Sequence, residues 1–265
     1  MTYQKTYKMR TLKDTISQKL SIDSILEKLS VDDINLDTLD EELKKKYDLV
    51  FNPNTNCYDC DKNIKADDDL VGDGHFICDF GVVKGDFNCD CCHNLKTLEG
   101  APKKVNGDFN CADCDNLEFL KGASKEIGGN FFCSRCNKLK SLKGAPKKVD
   151  GSFYCNSCEN LETLEGAPEK VSKDFSCSRC ENLKSLKGAP KKIKGDFICT
   201  HCHNLKTLEG APEKVDGSFF CWECKNLKSL KGAPVEVGAN FWCNDCPQLT
   251  NYNIGNTKIG RKFIK

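Results

Sequence analysis

The chain is poor in the features that mark most enzymes and membrane proteins. Among its 265 residues histidine occurs only four times, at His75, His93, His201 and His203, scattered rather than grouped with carboxylates. No Ser-His-Asp set and no glycine-rich phosphate loop appears, so acyl-transfer and nucleotide chemistry receive no support. No apolar run is long enough to cross a bilayer. Residues 1–11, MTYQKTYKMRT, lack the apolar core of a secretory signal. Charge of one sign is missing as well: 40 Lys and Arg against 39 Asp and Glu leave +1. That balance gives no general pull toward nucleic acid or an anionic membrane. The expectation is a cytoplasmic, non-enzymatic protein without a small-molecule substrate, in a reducing compartment where structural disulfides are uncommon.

What the sequence does have is a repeat. Cysteines recur every twenty-two residues at Cys89, Cys111, Cys133, Cys155, Cys177, Cys199, Cys221 and Cys243, each with a partner three residues on. One period reads LETLEGAPEKV over Leu161 to Val171, followed by Asp174 to Cys180. A unit this short cannot bury its own apolar side chains, so neighbours must stack into a solenoid with one shared core. The core columns are Phe87 to Phe241, Val105 to Val237 (with Ile127 and Ile193), Leu95 to Leu249, and Leu98 to Leu230 ending at Tyr252. In Phe-x-Cys the alternation of constant and variable residues is that of a half-buried strand. Gly166-Ala167-Pro168 and its equivalents continue neither helix nor ladder and must turn the chain. Each coil is therefore expected to be a short strand, a bend and an extended return, without helix.

The string Val-x-x-x-Phe-x-Cys-x-x-Cys-x-x-Leu resembles the strand segment of leucine-rich repeats, most closely the variant with Cys in place of Asn. The return segment with its Pro, and the string Leu-x-x-Leu-x-Gly-Ala-Pro, are similar to short repeats of bacterial and phage proteins. The resemblance covers about residues 76–252 and implies a fold rather than a function. One residue more than usual separates the Val and Phe columns. Around the eight repeats of residues 87–252, three further segments are expected. Residues 1–50 read as an α-helical N-terminal cap. Ile22, Ile25, Leu26 and Leu29 share one face, and Leu36, Leu39, Leu43 and Tyr47 another, ahead of Lys44, Lys45 and Lys46. Residues 51–86 form an irregular lead-in with Cys57 and Cys60; its acidic run Asp67, Asp68, Asp69 and Asp73 lacks the ligands of a calcium loop and reads as a solvated turn. Residues 253–265 are a short C-terminal tail whose Ile254, Ile259 and Phe263 are available to cover the last coil.

The cysteines admit three states. Consecutive pairs give Cys-x2-Cys-x18-Cys-x2-Cys, which suits zinc. Cys111, Cys114, Cys133, Cys136, Cys155, Cys158, Cys177, Cys180, Cys199, Cys202, Cys221, Cys224, Cys243 and Cys246 are the candidate ligands, with His201 and His203 beside Cys202. A metal-binding or metal-storing protein is therefore the rival reading. The match also follows automatically from any Cys-x-x-Cys at this period, and free Cys buries readily as a small hydrophobe. Reduced thiols are thus the favoured reading and no cofactor is required; disulfides are the third state. Redox catalysis is not expected, because eight equivalent pairs contain no single activated member.

Two sets of columns should face solvent. The residue after the second leucine reads Glu99, Lys121, Lys143, Glu165, Lys187, Glu209, Lys231, mostly alternating in sign, so coils can pair as cross-strand neighbours do. The column Lys104, Lys148, Lys170, Lys192 and Lys214 reads as a solvated edge that discourages sheet association. The residues flanking the first cysteine vary, and several are large: Phe132, Tyr154, Ile198, Phe220, Trp222 and Trp242. Large apolar groups on a polar surface mark interaction sites, which makes these six the candidate contacts for another protein. The alternative is that they stack on one another and stiffen the sheet.

Overall fold

The computed structural model describes residue 39 and residues 41–265. These form a β-solenoid of about nine turns, with almost no helix. Of the helical segment expected up to residue 50, Glu41–Tyr47 is α-helix; residues 1–38, with the Ile22 to Leu29 face, lie outside the described residues. Glu41 and Glu42 open that helix and Lys44 to Lys46 close it, as the helix dipole favours. Tyr47 and Leu39 are buried, and the Leu39 N–H donates to the Tyr58 hydroxyl at 2.8 Å.

Each coil contains two strands, not one, and this corrects the single-strand expectation. An eleven-stranded sheet starts with the antiparallel pair Val50–Asn52 and Cys57–Cys60. It continues in parallel through Phe80–Val83 and Lys104–Val105 to Lys258–Ile259. A ten-stranded parallel sheet runs from Ile64–Lys65 through Phe87–Asn88 to Phe263–Ile264. The valine column thus belongs to its own sheet. The extra residue between the Val and Phe columns lies in the bend from one sheet to the other, where Asn106, Gly107 and Asp108 separate Val105 from Phe109. From Phe87–Asn88 and Lys104–Val105 onward, strands pair with their equivalents one period away, as in Phe153↔Phe175 and Val149↔Val171.

The inward columns fill the core. The phenylalanines from Phe87 to Phe241, all cysteines of that column, and the leucines from Leu95 to Leu230 are almost wholly buried. Phe153, Phe175 and Phe197 stack face to face, with centroids 5.2 and 5.4 Å apart and rings within 8° of parallel. This spacing follows the distance between paired strands.

Two local devices close each coil. The glycine of Gly-Ala-Pro has a left-handed backbone; at Gly166, φ is +91° and an added Cβ would lie 2.5 Å from backbone atoms of Lys143. No other residue type fits there. The residue before the second cysteine is also left-handed although it is never glycine; Arg135, Ser157 and Arg179 have φ of 56°, 56° and 59°. The conformation costs a non-glycine residue about 1 kcal/mol. It is held by ladder bonds such as Ser157 N–H to the Ser178 carbonyl, 2.8 Å.

The acidic run of the lead-in is structural. Asp67 caps the short 3-10 turn Asp68–Leu70 by accepting from the Asp69 N–H at 3.0 Å, and it also receives bonds from Tyr47 and Lys46. The alternating charges do pair between coils: Lys121 with Glu99 at 2.6 Å, Lys143 and Lys187 with Glu165, each at 3.6 Å, and Lys231 with Glu209 at 2.7 Å. All are exposed pairs, worth well under about 1 kcal/mol each.

Candidate binding face

The two cysteines of each repeat do different work. The first points into the core beside the phenylalanine. The second sends its thiol across to the carbonyl of the first cysteine one coil earlier: Cys114 Sγ lies 3.2 Å from the Cys89 oxygen, Cys136 Sγ 3.1 Å from Cys111, and Cys158 Sγ 3.1 Å from Cys133. The pattern continues through Cys180, Cys202, Cys224 and Cys246. Burial raises the ionisation of Cys92, Cys136 and Cys243 to about 12, and pushes the fully buried Cys111 and Cys133 well above the ordinary thiol range. Such thiols are poor nucleophiles. Among the described residues no three His, Cys, Asp or Glu side chains converge as a metal site. All cysteines of the structure are free, and Cys91 alone among them is exposed.

A second inter-coil ladder escaped the sequence reading. From Asp86 to Ser218, the residue preceding the core phenylalanine accepts a backbone N–H from the next coil. Asp86 accepts from Asp108 at 2.8 Å, Asn130 from Ser152 at 2.8 Å, Ser152 from Asp174 at 3.1 Å, Asp174 from Asp196 at 2.8 Å, and Asp196 from Ser218 at 2.7 Å. Aspartate, asparagine and serine alternate there without order, so no single-letter column drew attention to it. The shared property is a short side chain with an acceptor oxygen.

The six outward candidates all sit half-buried on the solvent side of the phenylalanine sheet or in the bend that follows it. They do not form one patch. Phe132 and Tyr154 stack with centroids 5.1 Å apart. Beyond them the column is interrupted by Ser176, only 4% exposed, whose hydroxyl donates to Asn156 at 2.6 Å. On the far side Phe220 and Trp242 lie 6.2 Å apart at 17°, flanked by Ile198 and, on the next coil, by Ile264, which pairs with Trp242. Trp222 sits two residues along the chain from Phe220 and packs edge-on against His201 at 4.7 Å. His201 Nε2 in turn meets Glu223 at 2.6 Å.

This second group is set apart by its polar atoms. Among the described residues, four buried side-chain nitrogen or oxygen atoms have no hydrogen-bond partner: His201 Nδ1, His203 Nδ1, Trp242 Nε1 and Asn244 Oδ1. Two of them lie on the coil before that of Trp222, and two on the coil of Trp242. Buried polar atoms are nearly always paired in folded proteins, so a cluster of exceptions calls for an explanation.

The architecture places the chain in the class of parallel β-solenoids. Comparison with protein-family models, with curated proteins and with solved structures finds no match.

Proposed function

We propose that the chain is a non-enzymatic scaffold that binds another protein through the outer face of its phenylalanine sheet, at the C-terminal coils. The observation that carries this reading is the grouping of half-exposed Ile198, Phe220, Trp222 and Trp242 on three neighbouring coils. Large aromatic rings grouped on an otherwise polar surface are what an interface centre needs. Phe132 and Tyr154, separated by Ser176, belong to a secondary contact. The resemblance to leucine-rich repeats accords with this use, since solenoids offer long surfaces of regularly spaced side chains. The N-terminal segment is assigned the role of a cap over the first coil, in a reducing cytoplasm.

A pull-down from native extract supplies the partner, and two substitutions test the face. Trp222→Ala and Trp242→Ala are each expected to weaken binding by about 2 kcal/mol or more, the hot-spot range. Lys192→Ala, on the valine sheet, should change little. Tryptophan variants that lose stability but keep full affinity would show that the rings only stiffen the sheet.

A further inference from the structure

Ile198, Phe220, Trp242 and Ile264 stand in register on four consecutive coils, forming an apolar ridge along the solenoid axis. Its rungs are about 4.8 Å apart, the spacing of paired strands. A partner that contacts every rung must repeat its apolar side chains at a similar distance. An extended strand laid along the axis presents same-face residues about 6.7 Å apart, and over three intervals it drifts by more than one whole coil. An α-helix presents them about 5.4 Å apart, once per turn, and drifts by less than half a coil. The ridge therefore matches a helix and mismatches a strand. Edge pairing is closed along this stretch, because both neighbours of each strand from Phe197–Ile198 to Phe241–Trp242 are already bonded.

The flanks differ in charge. Glu223 and Asp245 follow Trp222 and Asn244 in the bend on one side of the ridge, and exposed Lys262 lies on the other. Glu223 is already within hydrogen-bond distance of His201 Nε2, at 2.6 Å. We propose that the ridge takes an amphipathic α-helix of the partner protein, laid along the solenoid axis. Its apolar stripe recurs at i, i+4, i+7 and i+11 and is bordered by lysine or arginine on the side of Glu223 and Asp245. This assignment of partner class rests on the binding face proposed above.

A displayed library of random 16-residue peptides, panned against the full chain in reducing buffer, tests it. Recovered peptides are expected to carry helix-spaced apolar residues with an excess of Lys and Arg. They should gain helical circular dichroism on binding and lose at least about 30-fold in affinity for the W222A/W242A variant. The surface variant Glu223→Lys with Asp245→Lys leaves the ridge in place and should cost about 10-fold at low salt. Peptides that depend on the tryptophans but are proline-rich, or alternate with period two, or do not respond to the charge reversal, overturn the basic-helix assignment and leave the face standing. Peptides indifferent to W222A/W242A, or no enrichment at all, overturn the face itself and the helix with it.

Discussion

At the scale of single residues, the fold depends on side chains that act once per coil and are repeated. Phe175 is fully buried between Phe153 and Phe197. Phe175→Ala removes a ring from the middle of a close-packed stack, and the neighbouring coils are fixed by their own ladders and cannot collapse into the gap. The expected cost is about 3–5 kcal/mol, read as the shift of the urea midpoint; an unmoved midpoint would mean that the phenylalanine column does not carry the core. Asp174 acts through hydrogen bonding alone, as acceptor for the Asp196 N–H. Asp174→Ala leaves that amide without its partner and should cost about 1–2 kcal/mol. Asp174→Asn should cost much less, because Asn130 fills the same role with its own amide oxygen. Equal losses for the two variants would assign the effect to the charge of Asp174 rather than to its acceptor oxygen.

At the scale of the element, the unit is the twenty-two-residue coil, and its two dipeptide strands make no sense apart from their neighbours. Excision of residues 165–186 rejoins equivalent positions and should leave a cooperatively folding protein with a smaller denaturant slope, in proportion to the lost surface. Excision of residues 165–175 removes half a coil, sets Phe197 opposite Leu164 and Ile193 opposite Asn160, and should abolish cooperative unfolding. If the half-coil deletion folds as well as the whole-coil one, the in-register columns do not determine the structure. The coil was largely legible in the sequence because its apolar columns are nearly invariant: the phenylalanine, leucine and first-cysteine positions proved to be the buried ones, and the alternating Glu and Lys column proved to pair. The second sheet was not legible, because a strand of two residues such as Lys170–Val171 is too short to show a period. The left-handed residue between the cysteines was hidden by its varied identity; Arg179, His201 and Glu223 carry no glycine to announce it. The division of the outward aromatics was hidden for a different reason. Ser176 appeared as one more variable residue, and only the packing reveals it as the break between two stacks.

At the scale of the whole molecule, the cysteine ladder decides how stability varies with pH, and the sign separates the two chemical states of the sulfurs. In the thiol state, burial holds Cys92, Cys136 and Cys243 protonated up to about 12, and Cys111 and Cys133 further still. In the unfolded chain the same groups ionise near about 8.5. Between these limits the folded state binds more protons than the unfolded one, so stability is intact below about pH 8.5 and falls as the pH rises. Each such thiol contributes a slope of up to about 1.4 kcal/mol per pH unit. Several acting together should unfold the protein long before its thiols titrate in place. A ladder of metal thiolates has the opposite sign: its sulfurs are already deprotonated when folded, so stability would fall with acid and hold in mild alkali. Urea unfolding at pH 6, 7, 9 and 10, with a phosphine reductant present, reads the difference. The expected profile is flat from pH 6 to 8, then drops by more than one thiol's worth per unit above pH 9, with no response to chelator. A profile that holds to pH 10, drops toward pH 6 and collapses on chelation would replace the thiol core with a metal one.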